Sequence, residues 1–424
     1  MTPLFRRHAA ARLRELLAVF PVVVLTGARQ VGKTTLAQML VEESGGTYHS
    51  LDAVLPRTRA QDDPEGFVAT DDLLVLDEVQ LVPDLMRAVK LAVDRDRRPG
   101  RYLLTGSANL LRLRTVAETL AGRSAWVELG PLTWAEIAGA PAPTAIDDAF
   151  AAARADDFVG RLRPPVAAHA DTARRLAVSG SMPPTLDLSA PRRRDWYDGY
   201  RQTFIERDLR QISEIANLPE FVRLMSLALL RTGGVLNKHE LAADASLATP
   251  TARRYLNILE VGYQIWELPP FLPNIGKRLT KSPKLFAGDT GLAAHVANIR
   301  TWDDAVSMGR EGALLETWAI NEFAAADRLS SARSTLMYMR RSHGPEVDLV
   351  FERGESVVAV EIKSSATIAS VDLKGLRALR DDLGDRFRLG IVAHLGNTLE
   401  TIDRSLCVAP LASLLGVVEE KPLV

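Results

Sequence analysis

A glycine-rich segment that directly follows an aliphatic run constrains this chain more than any other feature. The aliphatic run spans residues 22–25 (VVVL), residues 27–34 read GARQVGKT, and residues 34–40 are a helix-forming stretch. A buried strand that enters a glycine-rich turn and then a helix directs backbone N–H groups toward one point, and such a point binds phosphate. The pattern therefore predicts an α/β fold with a parallel sheet and a phosphate-binding loop.

The loop residues suggest individual roles. Lys33 is expected to reach the β- and γ-phosphates of a nucleotide, and the Thr34 hydroxyl is expected to ligate Mg²⁺. Gly27 and Gly32 allow a close backbone approach that a β-carbon would block. We therefore predict ATP and Mg²⁺ as cofactors. The nucleotide-binding residues predicted in this segment are Gly27, Ala28, Arg29, Gln30, Val31, Gly32, Lys33, Thr34 and Thr35.

Two further aliphatic runs end in polar residues. Residues 73–76 lead into Asp77 and Glu78, so we expect Asp77 to hold Mg²⁺ and Glu78 to polarise the attacking water as general base. Residues 101–105 lead into a GSAN segment, where Ser107 or Asn109 would contact the γ-phosphate as a sensor. The sequence does not choose between these two. A solvated strand end is the alternative interpretation of the acidic pair.

Composition limits the remaining classes of protein. A chain of 424 residues is too long for one core, so two to four domains are expected. The net charge of −1 means that binding to nucleic acid would depend on local patches. The single cysteine, Cys407, excludes an intrachain disulfide. With no signal peptide or membrane-length apolar run, we expect a cytoplasmic protein without membrane association.

Three segments together resemble the AAA+ class of P-loop ATPases: residues 27–35 (GARQVGKTT), 73–80 (LLVLDEVQ) and 103–111 (LLTGSANLL). They are most similar to a bacterial and archaeal branch that joins the ATPase to a C-terminal domain of unknown function. Residues 200–209 (YRQTFIERDL) and 289–292 (DTGL) also resemble that branch. The lid helices usual in AAA+ modules are not recognisable after residue 133.

The AAA+ resemblance implies an arginine supplied in trans by a neighbouring subunit, and therefore a homo-oligomer. Arg123 is the candidate for this catalytic arginine, and Arg112 and Arg114 are its alternatives. A basic residue at a helix C-terminus, where the helix dipole favours it, is the competing interpretation of Arg123.

The middle of the chain predicts a linker followed by a helical module. Residues 138–157 are rich in Ala, Pro and Asp without apolar periodicity and are expected to be a surface excursion or a loosely ordered linker. Residues 192–215 are expected to be helical. Beyond them, a helix ends at residues 233–234, a short helix starts at Lys238, and another has Thr249 as N-cap and Pro250 at its first position.

A strand at residues 263–268 and a basic loop would complete a winged helix in this region. Its second helix carries Arg253 and Arg254 and would enter the DNA major groove, while the loop would contact backbone phosphates. The alternative is a dimerisation or docking module. The basic loop residues are Lys277, Arg278, Lys281 and Lys284.

The C-terminal region predicts a helix at 311–323, strands at 335–340, 346–351 and 357–363, a helix at 372–382 and a strand at 387–393. Asp348 and Glu361 would converge with Lys363, since Glu361 and Lys363 share one strand face. This arrangement resembles the PD-(D/E)XK nuclease superfamily, in which two carboxylates hold Mg²⁺ and the lysine activates water. The resemblance makes Asp348, Glu361 and Lys363 catalytic and Glu316 an additional metal ligand.

The sequence therefore predicts four regions: an AAA+-type ATPase domain (1–135), a linker and helical segment (136–215), a winged-helix-like domain (216–295) and an α/β nuclease-like domain (296–424). We expect ATP hydrolysis coupled to a DNA-interacting C-terminal half, whose nuclease activity stays open because a fold does not dictate chemistry. The alternative is a regulatory or scaffold ATPase that docks a protein partner without cleavage.

Overall fold

The first sheet has five parallel strands. The computed structural model describes residues 5–107, 120–165, 169–208, 215, 217–272, 278, 281–341 and 344–418. The strand order is β2–β3–β4–β1–β5. All residues of β1, β3 and β4 are buried, as expected for parallel strands covered on both faces. The strands are β1 (Val22–Thr26), β2 (Thr47–Ser50), β3 (Leu74–Asp77), β4 (Tyr102–Gly106) and β5 (Ser124–Glu128).

Helices cover both faces of this sheet. Alternate residues of each strand point to opposite faces, and both sets are apolar, so each face has to be buried. Val23 and Leu25 of β1 pack into one core cluster, and Val22 and Val24 pack into another. The predicted α/β fold class is therefore confirmed. The helices of this region are α1 (Ala9–Leu17), α2 (Lys33–Ser44), α3 (Val54–Asp62), α4 (Pro64–Phe67) and α5 (Asp84–Arg95).

The expectation of a loosely ordered linker at residues 138–157 is wrong. Two short helices form there, and Ile146 and Phe158 are buried in the same core as the C-terminal sheet. Their alanine-rich faces allow close packing against strands. The helices between the first sheet and the middle of the chain are α6 (Trp134–Ile137), α7 (Ala145–Ala151), α8 (Ala155–Arg161), α9 (His169–Ser179) and α10 (Ala190–Thr203), the last followed by a π-helical turn at Phe204–Asp208.

The middle of the chain combines helices with a three-stranded antiparallel sheet of order β6–β8–β7. The helix expected to begin at Pro250 begins one residue earlier, at Thr249, so Ala248 is the N-cap and Pro250 the second helical residue. The elements are α11 (Leu218–Leu230), β6 (Gly234–Val235), α12 (Lys238–Asp244), α13 (Thr249–Val261), β7 (Ile265–Leu268) and β8 (Lys284–Ala287).

A six-stranded mixed sheet of order β13–β14–β12–β11–β10–β9 forms the C-terminal region. Strands β9 to β11 are antiparallel, and β11, β12 and β14 are parallel. The strands are β9 (Thr335–Arg340), β10 (Glu346–Arg353), β11 (Ser356–Lys363), β12 (Phe387–His394), β13 (Glu400–Thr401) and β14 (Leu406–Pro410). The helices are α14 (Thr290–Val296), α15 (Trp302–Ser307), α16 (Glu311–Leu329), α17 (Lys374–Leu383) and α18 (Leu411–Leu414).

The middle and C-terminal regions share backbone hydrogen bonds. Tyr338 of β9 receives and donates bonds with the chain that continues β7: its N–H donates to Pro269 O at 3.0 Å, and its carbonyl accepts from Phe271 N at 2.6 Å. The three-stranded sheet is thus fastened to the edge strand of the larger sheet. Within the described part of the chain, none of the helices combines the length and apolar character that a bilayer crossing requires.

Candidate functional site

The glycine-rich loop forms a tight turn between β1 and α2. Gly27 has φ +150°, and a β-carbon there would lie 2.1 Å from the carbonyl oxygen of Leu129. Gly32 caps α2 in a left-handed conformation with φ +96°. Both positions favour glycine for these reasons. The loop leads directly into the N-terminus of α2, a twelve-residue helix, and its concave side faces that N-terminus, as the sequence predicted.

Lys33 lies inside this loop. Its side chain is almost fully buried, and Nζ donates to the carbonyl oxygens of Gly27 at 3.0 Å and Ala28 at 2.8 Å. A cavity of about 560 Å³ opens over the loop. Its lining includes residues 29–35 together with Glu78, and Arg7 and Phe5 add a cation and an aromatic ring.

Asp77 is surrounded by three hydroxyl groups at the carboxyl end of β3. Its Oδ2 accepts from Thr34 Oγ1 at 2.9 Å and from the Tyr48 hydroxyl at 2.6 Å, while Oδ1 accepts from Thr105 Oγ1. Burial raises the pKa of Tyr48, and its hydrogen bond to Asp77 raises it further, so the phenol stays a donor. The structure brings Thr34 and Asp77 together as a metal-binding pair requires.

Glu78 has a left-handed backbone conformation with φ +57°. Its carboxylate accepts from Gln80 Nε2 at 2.5 Å, and the same amide lies 3.3 Å from Ser107 Oγ. The Glu78 N–H is directed at Thr105 Oγ1 at 3.3 Å. Gln80 therefore joins the predicted general base to one of the two predicted sensors. Asn109, the other sensor candidate, lies outside the described residues.

Sequence reasoning missed four polar side chains at this site: Arg7, Tyr48, Gln80 and Thr105. Arg7 donates through Nη1 to Val31 O at 2.5 Å and pairs through Nε with Glu136 Oε1 at 3.1 Å. The only available signal was weak, since Thr105 and Gln80 lie within the strand-end segments that carry Asp77 and Ser107.

Arg123 lies on the surface of the ATPase region. Its guanidinium pairs with both carboxylate oxygens of Asp94 on α5, at 2.7 and 3.0 Å. This ion pair lowers the pKa of Asp94. The role of Arg123 in a neighbouring subunit stays a prediction, and the competing candidates Arg112 and Arg114 lie outside the described residues.

The predicted C-terminal residues meet at the centre of the larger sheet. Asp348 Oδ2 accepts from Ile362 N at 2.9 Å, and Glu361 Oε1 accepts from Lys363 Nζ at 2.7 Å. Glu316 of α16 joins them. Burial, followed by the charge of Asp348, raises the pKa of both Glu316 and Glu361 to about 8.

Lys284 occupies the same centre, which corrects its assignment to an exposed basic loop. It begins strand β8, is 3% exposed, and pairs with Glu316 at 2.7 Å and Glu346 at 2.5 Å. Burial opposes its positive charge, but the surrounding carboxylates outweigh burial and raise the pKa of Lys284. Arg278 is also engaged, with Nη1 at 2.5 Å from Glu352. Lys281 is exposed, and Lys277 lies outside the described residues.

The two predicted magnesium sites differ in how well their residues fit a metal. The loop, Lys33, Thr34 and Asp77 fit Mg²⁺ and a triphosphate, because backbone donors, a hydroxyl and a carboxylate converge on one cavity. The C-terminal set does not fit, because Lys284 is inserted among its carboxylates. Among the described residues, no group of three His, Cys, Asp or Glu side chains is arranged to hold a metal ion.

Comparison with known families gives the class of the region that carries the first of these sites. The AAA domain family matches residues 19–138, the part of the chain that carries the parallel sheet and its loop, and this match supports an AAA-type P-loop domain there. Two domains of unknown function match further parts of the chain, DUF8612 at residues 170–303 and DUF4143 at 311–414.

Two mycobacterial proteins, Mb2031c of Mycobacterium bovis and Rv2008c of Mycobacterium tuberculosis, are each 32% identical over 368 residues. The match covers 85% of this chain and 74% of each relative, and this chain belongs to their family. Both relatives are described as uncharacterized.

Solved structures show more distant likeness. The Walker-type ATPase PABY2304 of Pyrococcus abyssi is 15% identical, with a TM-score of 0.45, over 69% of this chain and 96% of its own. AMPPCP-bound DnaA of Aquifex aeolicus is 14% identical, with a TM-score of 0.26, over 60% of this chain and 86% of its own. At these scores, neither likeness carries an argument about function.

Proposed function

We propose that this protein hydrolyses ATP at the cavity over the glycine-rich loop. The observation that carries the proposal is the convergence of Lys33, Thr34, Asp77 and Glu78 at one edge of the parallel sheet. Bound Mg²⁺ would neutralise charge on the phosphate oxygens. Lys33 would supply a second positive charge, and Glu78 would accept a proton from the attacking water.

The rest of the cavity suits a nucleotide base. Phe5, Leu132 and Pro183 contribute apolar side chains to its lining, beside the loop and its helix N-terminus. An aromatic ring and aliphatic walls provide the stacking surface that a purine ring fills, while the polar side receives the phosphates.

Steady-state ATP turnover of the purified full chain tests the proposal. Lys33→Ala should lower turnover about 100-fold or more, because it removes a group that stabilises developing charge. Glu78→Gln should lower turnover by about 10²–10⁴ while ATP still binds, because only the proton acceptor is lost. Lys374→Ala, an exposed lysine on α17, is the control. Turnover that is equal in Lys33→Ala and wild type would refute the assignment.

We further propose that nucleotide state reaches the middle region through direct contacts at the loop. The Tyr263 hydroxyl donates to Thr26 Oγ1 at 2.7 Å, one residue before the loop begins. Arg7 contacts Val31 within the loop and Glu136 in α6 beyond it. A change in the loop would therefore be transmitted to Tyr263 in the middle region and, through Arg7, to Glu136 in α6.

DNA is the proposed partner of the middle region, in keeping with a winged-helix-like arrangement of α11, α12, α13 and the three-stranded sheet. The supporting observation is that Arg253 and Arg254 are exposed on the first turns of α13. Double-stranded DNA should then raise ATP turnover. Arg253→Ala should weaken that stimulation, whereas Arg87→Ala on α5 should preserve it. Equal turnover with and without DNA would remove this part of the proposal.

The second candidate function is a scaffold ATPase whose C-terminal half docks a protein partner. It is favoured by one observation: Arg278 and Lys284, two of the four basic residues expected to grip DNA, are engaged by carboxylates within the molecule. Nucleotide-dependent capture of a defined partner in the absence of DNA would support it. The cytoplasmic location and homo-oligomeric state stay predictions, and sedimentation with and without ATP measures the latter.

A further inference from the structure

One lysine from the middle region lies at the centre of the nuclease-like site. Its side chain is 4% exposed, and Nζ lies 2.7 Å from Glu316 Oε1, 2.5 Å from Glu346 Oε1 and 3.5 Å from Asp348 Oδ1. Two of these carboxylates come from β10 and one from α16, whereas Lys284 itself begins β8. The ammonium is therefore delivered to the C-terminal sheet by a different sheet.

The position of the ammonium excludes a divalent cation at the same carboxylates. Mg²⁺ binds carboxylate oxygens at about 2.0–2.1 Å, so an ion held by Glu316 and Asp348 would lie within a few ångströms of Lys284 Nζ. Two cations at that separation repel strongly in a buried site. The carboxylates can therefore serve the lysine or a metal ion, but not both at once.

The other two predicted catalytic residues, Glu361 and Lys363, are paired with each other. Lys363 Nζ is held by Glu361 at 2.7 Å and lies 3.8 Å from Asp372 Oδ1. The second oxygen of Glu361, Oε2, is buried without a hydrogen-bond partner. A buried carboxyl oxygen without a partner is a position that a proton or a small cation would fill, and metal binding to the wild-type protein distinguishes the two.

We propose that Lys284 is the resident cation of this site, so that the C-terminal domain of this chain binds no divalent metal there and serves as a non-cleaving anchor for the three-stranded sheet. The inference concerns a site separate from the ATPase centre and does not depend on ATP hydrolysis. It favours docking over phosphodiester cleavage as the role of the C-terminal domain.

Neighbouring contacts support the anchoring role. The Tyr338 hydroxyl donates to Ser282 O at 2.7 Å, two residues before Lys284, and Lys284 Nζ lies 5.6 Å from the centre of the Tyr338 ring. Arg278 pairs with Glu352 at the far end of β10. The segment that precedes β8 is thus attached to the larger sheet at several points, with Lys284 at the most buried one.

Mn²⁺ binding to the full-length protein without nucleotide tests the proposal, with free Mn²⁺ measured by electron paramagnetic resonance. The variants are Lys284→Met, Asp348→Asn and Lys284→Met combined with Asp348→Asn, and Lys374→Met is the exposed-lysine control. Wild type, Asp348→Asn and Lys374→Met should give the same binding curve, because no metal is held at Asp348 while Lys284 is present.

Lys284→Met should gain a Mn²⁺ site that binds at least about tenfold more tightly than any site in wild type, because removing the ammonium exposes its carboxylates. The added Asp348→Asn change should abolish that gain. A wild-type Mn²⁺ site that disappears in Asp348→Asn would overturn the proposal, as would a folded Lys284→Met protein without an added site. If Lys284→Met does not fold, the comparison of wild type with Asp348→Asn decides.

Discussion

Replacing Arg7 with methionine removes a buried guanidinium that joins the phosphate-binding loop to α6. Arg7 and Glu136 are only 8% and 4% exposed in their side chains. Removing one partner of a buried ion pair destabilises a protein by about 3–5 kcal/mol, because the other charge is left uncompensated. Glu136 would keep hydrogen bonds from the backbone N–H groups of His8 at 2.7 Å and Thr133 at 3.0 Å. We therefore expect the lower end, about 3 kcal/mol.

The same substitution should weaken ATP binding. Arg7 Nη1 donates to Val31 O, and Nη2 donates to Gly130 O at 2.9 Å, so the loop loses its support from outside. The loss of one such hydrogen bond, about 1.4 kcal/mol, corresponds to about a tenfold rise in the Kd for ATP. For a cooperative unit of 150–250 residues, a loss of 3 kcal/mol lowers Tm by roughly 6–12 °C.

Thermal unfolding and equilibrium ATP binding measure these two effects. Arg6→Met is the matched control, because Arg6 is the exposed neighbour of the same type. A double-mutant cycle with Glu136→Gln should give a coupling of about 1–3 kcal/mol between the two side chains. The reasoning fails if Arg7→Met and Arg6→Met have the same Tm, or if the coupling with Glu136→Gln is zero.

Three further outcomes are expected. Gln80→Ala should lower ATP turnover about 10- to 100-fold with an unchanged KM, because Glu78 loses a charge-assisted hydrogen bond; a change in KM alone would contradict this. Burial raises the pKa of Glu322 to about 8 despite its bonds from Trp134 N, so the folded state binds this proton more tightly than the unfolded state. The free energy of unfolding of the wild type, measured by urea titration, should therefore fall as pH rises from about 4.5 to 8, and that of Glu322→Gln should fall less. An equal fall in the two proteins would argue against a raised pKa of Glu322. Burial also raises the pKa of Cys407 to about 12, so maleimide should label native protein at least about 100-fold more slowly than urea-unfolded protein, and fast native labelling would contradict the buried position.

The ATPase region was largely predictable because its signals are local. Each predicted ligand stands at the end of an aliphatic run, and parallel strands bring those ends to one edge. The contacts that the sequence did not reveal join distant positions. Arg7 and Glu136 are 129 positions apart, and Tyr48 and Asp77 are 29 apart. A single hydroxyl or guanidinium group creates no periodic pattern in the sequence, so the sequence does not show which distant residue it will contact.

Two errors elsewhere have a common physical origin. Helices α7 and α8 have seven residues each, too few for an apolar repeat to stand out, and their buried faces are mainly alanine. The sequence predicts Lys284 in a basic loop, whereas the structure buries it, which is rare for a lysine unless it is paired. Its partners are 32 and 64 positions away, at Glu316 and Asp348. In both cases, burial depends on sequence-distant partners.

The packing of α7 and α8 against the C-terminal sheet has a consequence for synthesis of the chain. Ser413 Oγ donates to the carbonyl oxygen of Arg163, 250 positions earlier. At about 5–20 residues per second, a ribosome needs roughly 10–50 s to make that stretch. During this delay, Ile146 and Phe158 have no sheet to cover them. The growing chain therefore exposes these apolar side chains to solvent until the last strands emerge.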